Sequence, residues 1–183
     1  MLHAVLLCVL VMVLLLCFSL LLYQGLTGVP TVSSTRAEAA DVVALLRSAH
    51  IGAHPTIVDL GCGWGALTLA LASAFPRATI VGLELSPFPY WVTRLRTLGR
   101  PNIRVMRANF YDADLRGADA IVCYLMIKPM PKLAAFLDRV LPDGTPVVAL
   151  TFWFRGRKVS AAKEGPGLRG SAALYHWPAK QQE

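Results

Sequence analysis

Val58-Asp59-Leu60-Gly61-Cys62-Gly63-Trp64-Gly65 joins two stretches of different character. Before it, the hydrophobic run Thr56 to Leu60 reads as a strand. After it, Ala66-Leu67-Thr68-Leu69-Ala70-Leu71-Ala72 reads as a helix. Strand, glycine-rich loop and helix in that order form the unit by which open α/β sheets hold a nucleotide-like cofactor. Glu84 closes the next apolar run, Ala78 to Leu83. It stands about 20 residues beyond the loop, where an acid can engage both hydroxyls of a ribose.

The loop also satisfies a loose dinucleotide fingerprint, because Gly61, Gly63 and Ala66 fit G-x-G-x-x-[GA]. Two details argue against that cofactor. Asp59 sits at the mouth of the loop, where a carboxylate repels a pyrophosphate and suits an ammonium group. Gly65 adds a third glycine at two-residue spacing, so the turn can approach a bulky ligand with no Cβ in the way. S-adenosylmethionine has no phosphate and carries an ammonium, a carboxylate and a sulfonium.

Outward from the loop, strands alternate with helices. Val29 to Thr35 is a short extended linker in which Ser34 or Thr35 can cap a following helix, Arg36 to His50, with apolar positions at Ala39, Val42, Val43, Leu46 and Ala49. The helix after the loop ends by Pro76. Ser86-Pro87 is a cap and first-turn proline for a helix to about Leu98, which carries Trp91, Val92, Leu95 and Leu98 on one face. Further strands are expected at Asn102 to Met106, Ala118 to Leu125 and Pro146 to Phe154, with a helix from Met130 to Leu141. A glycine-rich stretch with room for a mobile hairpin precedes a last short strand, Ala172 to Trp177. This alternation predicts a doubly wound, mostly parallel α/β sheet.

The 183 residues have room for one domain and an appendage. The appendage is apolar from Ala4 to Phe18 and again from Leu20 to Leu22, and the first charged side chain is Arg36. Leu2 to Tyr23 meets the ~20 residues that a bilayer-spanning helix needs. A cleaved signal peptide is the alternative, but it usually has a basic start and an apolar core of about 7–15 residues. The expected division is therefore an anchor over residues 1–24, a linker over 25–35 and a cofactor-binding domain over 36–183. Arg36 and Arg47 follow the span and no Lys or Arg precedes it, so the positive-inside bias places the domain on the cytosolic side, the inner membrane if bacterial.

Cys8 and Cys17 lie in the span, Cys62 in the loop and Cys123 near a strand end, so no disulfide framework or metal-ligand spacing is present. The four histidines are scattered, and no metal is expected. The net charge of +7 is uneven: Arg94, Arg96, Arg100, Arg104 and Arg107 form a run with no acid between them. Nucleic-acid binding is one reading of that run and a solvated helix face another. For a tethered chain, attraction to anionic headgroups is more economical, and nucleic acid is not the expected partner.

Asp59, Gly61, Gly63 and Gly65 match [DE]-x-G-x-G-x-G, and here the chain resembles the class I S-adenosylmethionine-dependent methyltransferases. The resemblance implies that Asp59, Gly61, Cys62, Gly63 and Gly65 surround the methionine moiety and that Glu84 binds the ribose. It also places adenine against the loop after the third strand, at Asn109, where such enzymes commonly carry Asp, and Phe110; ordinary packing is the alternative for Phe110. After the fourth strand, Tyr124 stands where these enzymes face the transferred methyl, a candidate catalytic residue whose alternative is a half-buried strand-end aromatic. The Asn-Pro-Pro-Tyr signature of several amine and base methylases is absent.

The span, the Val-Pro-Thr-Val linker, the Gly82-Leu83-Glu84-Leu85-Ser86-Pro87 segment and a Tyr-Leu-x-x-x-Pro element from Tyr124 to Pro129 narrow the resemblance. Together they are similar to the membrane-anchored family that includes the ATP synthase c-subunit and adenine nucleotide translocase lysine methyltransferases and bacterial relatives. The chain departs from it at Trp64 and Ala66, where that family carries Asp and Arg. The resemblance implies N-methylation of a lysine on a membrane-associated protein. A small-molecule or lipid methyltransferase, and a cofactor-binding scaffold without turnover, are the alternatives.

Overall fold

The computed structural model describes residues 1–27, 32–165 and 171–180. Five short segments, β1 (Thr56–Leu60), β2 (Thr79–Glu84), β3 (Ile103–Arg107), β4 (Ala120–Cys123) and β5 (Pro146–Leu150), pair in parallel in the order β3-β2-β1-β4-β5. Two more strands, β6 (Ala161–Lys163) and β7 (Ala172–His176), extend the sheet, with β7 antiparallel between β5 and β6. The helices are α1 (Leu2–Thr27), α2 (Arg36–Ser48), α3 (Ala66–Ala74), α4 (Pro87–Arg96) and α5 (Met130–Val140). This is the doubly wound, mostly parallel α/β sheet that the alternation predicts.

Side chains alternate across a strand, so each central strand feeds two cores. Val58, Leu60, Ile121, Val147 and Ala149 point to the face covered by Leu133, Phe136 and Leu137 of α5. Ile57, Val122, Val148 and Leu150 point to the other, against Val42 and Leu46 of α2 and Leu67 and Leu71 of α3. Strands buried on both faces read as unbroken apolar runs, as these do. Thr35 rather than Ser34 starts α2: its Oγ accepts from Glu38 N at 3.2 Å, and Glu38 Oε2 accepts from Thr35 N at 2.6 Å. Such a capping box is worth about 1 kcal/mol.

α1 is apolar all round, and none of the window Leu2–Ser19 is buried. It is long and apolar enough to cross a membrane or to serve as a signal segment, and it contacts α4. Residues 28–31 of the expected linker and 166–170 of the expected hairpin lie outside the described residues.

Three expectations are corrected. β5 stops at Leu150, not Phe154, because Thr151 turns into the left-handed region (φ 66°), which a β-branched residue rarely occupies. The glycine-rich stretch contributes a strand, β6, held by pairing to β7. And α4, which lies over β2 and β3, packs inward through Pro89, Tyr90 and Thr93 and ends at Arg96, so the expected apolar face divides: Trp91 and Leu95, with Leu98 just past the helix, are exposed, whereas Val92 is half-buried.

Candidate active site

The sheet order reverses between β1 and β4, and in open α/β sheets the crevice beyond the carboxyl ends at that point is where ligands bind. The glycine loop leaves β1 there. Gly61, Gly63 and Gly65 all take positive φ, at 72°, 51° and 78°. At Gly65 a Cβ would also stand 2.5 Å from Thr93 Cγ2, and at Gly61 3.0 Å from Leu125 Cδ2. The loop is therefore pressed between α4 and the segment after β4: Gly65 has no space for a side chain, and at Gly61 the Leu125 side chain would have to give way.

Backbone and side-chain bonds fix the loop to the end of β2. Gly61 N and Cys62 N donate to Leu83 O at 2.9 and 3.0 Å. Gly63 N donates to Glu84 Oε2 at 2.9 Å, and Ser86 N to Glu84 Oε1 at 2.7 Å. Glu84 is buried, and each of its oxygens spends one acceptor site. A carboxylate offers about four, so capacity remains on both oxygens. From the other side, Thr93 Oγ donates to Gly63 O at 2.6 Å, the Arg96 guanidinium donates to Trp64 O, and Trp64 stands edge-on to Phe88 with ring centroids 5.6 Å apart.

Asp59 is 2% exposed and accepts from Thr68 Oγ at 2.7 Å. Burial pushes its pKa up to about 7, the Thr68 bond opposes that, and the neighbouring Glu84 adds to it. Such a group is poised to regain its full charge when a cation enters. Burial first, then Asp59 and Glu84, also pushes the Cys62 thiol up, so it stays protonated and is no nucleophile. Its Sγ packs where Gly82 lacks a side chain: a Cβ on Gly82 would come within 3.0 Å of it.

Linker residues Val32, Ser33 and Ser34 share one small pocket with Asp59, Gly61 and Tyr124. Ser34 Oγ is buried and has no hydrogen-bond partner among the described residues. Two buried acids, an unpartnered hydroxyl and a glycine cradle with no space for a Cβ fit a ligand carrying an ammonium and a ribose diol.

Asn109 and Phe110 follow β3. Ala108 N donates to Glu84 O at 3.1 Å, which holds this segment beside the acid. Asn109 caps a 3-10 turn, Phe110–Asp112: its Oδ1 accepts from Tyr111 N at 3.3 Å and its Nδ2 donates to Asp112 Oδ2 at 2.9 Å. Phe110 tilts against Tyr111 at 4.5 Å and packs on the core, so ordinary packing is part of its role. Tyr124 is half-buried. Asp59, the loop, Glu84 and Tyr124 thus come together at the carboxyl ends of β1, β2 and β4. Ser34, Thr68 and Thr93 were not among the expected site residues. Thr68 and Thr93 carried a signal: each is a hydroxyl residue within a largely apolar helical run, and each is fully buried.

The family model described as the ANTKMT methyltransferase domain matches residues 59–161, more than half of the chain. A protein-lysine N-methyltransferase of Saccharolobus islandicus is 27% identical over 122 residues, 61% of this chain and 71% of that protein. A tRNA (guanine-N(7)-)-methyltransferase of Mycobacterium ulcerans is 30% identical over 122 residues, but the match covers only 44% of its length. Among solved structures, an RNA methyltransferase from Salinibacter ruber in complex with S-adenosyl-L-homocysteine superposes with a TM-score of 0.70 at 22% identity, over 83% of this chain and 97% of that one. At that identity the likeness establishes the fold. The match to the family model, beginning at Asp59 and running through the loop, Glu84 and Tyr124, places the chain in the ANTKMT methyltransferase family, as an S-adenosylmethionine-dependent methyltransferase.

Proposed function

We propose that the enzyme methylates the ε-amine of a lysine on a membrane-associated protein, with α1 as its anchor and the domain on the cytosolic side. The observation that carries the acceptor is the similarity to a protein-lysine N-methyltransferase, which spans 71% of that relative, against 44% or less for the tRNA methyltransferases. The apolar α1 supports the anchor.

S-adenosylmethionine supplies an electrophilic methyl on its sulfonium. In this reading Asp59 pairs with the cofactor's ammonium, and Glu84 accepts from the ribose hydroxyls with the capacity left on its two oxygens. The Gly61, Cys62, Gly63 and Gly65 backbone lies along the methionine portion, and Asn109 and Phe110 flank the adenine. Tyr124 positions the acceptor nitrogen by its hydroxyl or ring face. Displacement needs the amine uncharged, and a partly desolvated pocket favours that form by lowering a lysine pKa. Catalysis then rests on alignment rather than on a dedicated base.

The test is transfer of radiolabelled methyl from the cofactor to a membrane fraction. Label in protein, recovered as methyl-lysine after hydrolysis, supports the proposal. Label in lipid extract or free metabolites supports the small-molecule or lipid reading, and label in RNA would align the chain with the tRNA enzymes. Cofactor binding with no label transferred to any fraction would mean a scaffold.

A further inference from the structure

A helix lying on a sheet is expected to turn its apolar stripe inward. α4 does the reverse. Its contacts with the body run through Pro89, Tyr90 and Thr93, followed by the buried Thr97 of its C-cap. Trp91 and Leu95 of α4, one turn apart, and Leu98 in the turn that follows the helix are 56%, 64% and 70% exposed.

Arginines border this stripe. Arg94 lies over the Trp91 ring at 5.7 Å and donates to Tyr90 Oη at 2.8 Å. Arg100 follows the helix and donates to Ser73 Oγ of α3 at 3.2 Å, and Arg104 stands on the edge strand β3; both are exposed. Neither these three nor Arg96 forms a salt bridge among the described residues. No acid occurs in the sequence between the buried Glu84 and Asp112.

We propose that the outward face of α4, with the adjoining β3 edge, docks on the headgroup layer of an anionic bilayer. Trp91, Leu95 and Leu98 enter the boundary between headgroups and acyl chains, and Arg94, Arg100 and Arg104 meet the lipid phosphates. An apolar stripe bordered by cations is what an interfacial helix presents. Phosphate binding by a nucleic acid would use the arginines but gives no role to two aliphatic side chains exposed by more than half. Position favours the bilayer too, because α1 contacts α4. The proposal rests on the reading of α1 as an anchor. Its consequence for the site is direct: Thr93, on the inward side of the same helix, holds Gly63 O, so a docked α4 fixes the glycine loop relative to the membrane plane.

The test uses the full chain reconstituted into phosphatidylcholine vesicles, with and without phosphatidylglycerol. Flotation reads the anchor. Quenching by lipids brominated high on the acyl chain, taken as the difference between the chain and its Trp91→Phe variant, reads the docking. The expected result is that Trp91 is quenched, more strongly with phosphatidylglycerol. Leu95→Glu with Leu98→Glu should abolish that quenching in a chain that still floats and still gains thermal stability from the cofactor. Arg94→Gln, Arg100→Gln and Arg104→Gln together should remove the dependence on phosphatidylglycerol. Flotation with no Trp91 quenching overturns the docking and leaves the anchor standing; failure to float overturns both. If transfer RNA added to the detergent-solubilised chain shields Trp91 from acrylamide and vesicles do not, the face belongs to nucleic acid and the proposal falls.

Discussion

Asp59 is the carboxylic acid whose chemistry the fold alters most. Its pKa near 7, against 3.8 for a solvated aspartate, means that the folded chain holds the proton more tightly than the unfolded chain. This group's contribution to stability is therefore complete below pH ~4 and lost as pH rises to about 7. In the proposed pairing with the cofactor's ammonium, the missing counter-charge is restored and cofactor binding competes with the proton. Between pH 5.5 and 7, affinity should rise by up to about tenfold per pH unit, and calorimetry across that window should show Asp59→Asn with weaker and nearly pH-independent binding. Thr68→Val keeps the shape but removes the bond that opposes the upward shift. It should move the midpoint of that profile to higher pH and, by stranding a buried acceptor, lower stability by about 1–3 kcal/mol in denaturant titrations.

At the scale of elements, the contact between the glycine loop and α4 decides whether the loop keeps its shape. Gly65→Ala faces two penalties: a left-handed backbone, costing about 1–2 kcal/mol, and a Cβ only 2.5 Å from Thr93 Cγ2. Removing the second with Thr93→Ala should recover part of the loss, so unfolding of the single and double variants should be non-additive. Additive losses would show that the loop and α4 do not press on each other. Beside the pocket-lining Ser34, Thr35→Ala breaks the capping box that starts α2 and should lower stability by about 1 kcal/mol in denaturant titrations. The elements also show what could be read from sequence. The loop and Glu84 were legible because their chemistry is local: three glycines in rhythm, then an acid where the next strand ends. The stripe Trp91, Leu95, Leu98 was equally visible, but periodicity says which residues share a face and not what that face meets. β6 was hidden because Ala161–Lys163 extends only through pairing with β7. Thr151 to Phe154 has the composition of a strand, and nothing in that composition marks the left-handed turn at Thr151.

At the scale of the whole molecule, the parallel body and the antiparallel β7–β6 edge form one sheet, so unfolding should be a single transition whose midpoint the cofactor raises. A biphasic melt in which only the first phase responds to cofactor would show instead that the edge unfolds independently. The linker has a geometric consequence. α1 ends at Thr27, and Ser33 already lines the pocket with Asp59 and Gly61. Six residues of fully extended chain reach at most about 20 Å. The first helix is thus on a short leash whose other end is sewn into the rim of the pocket that holds Asp59. Wherever that helix is held, this pocket stays within a shell about two nanometres deep around its end, and a methyl acceptor outside the shell must be carried in.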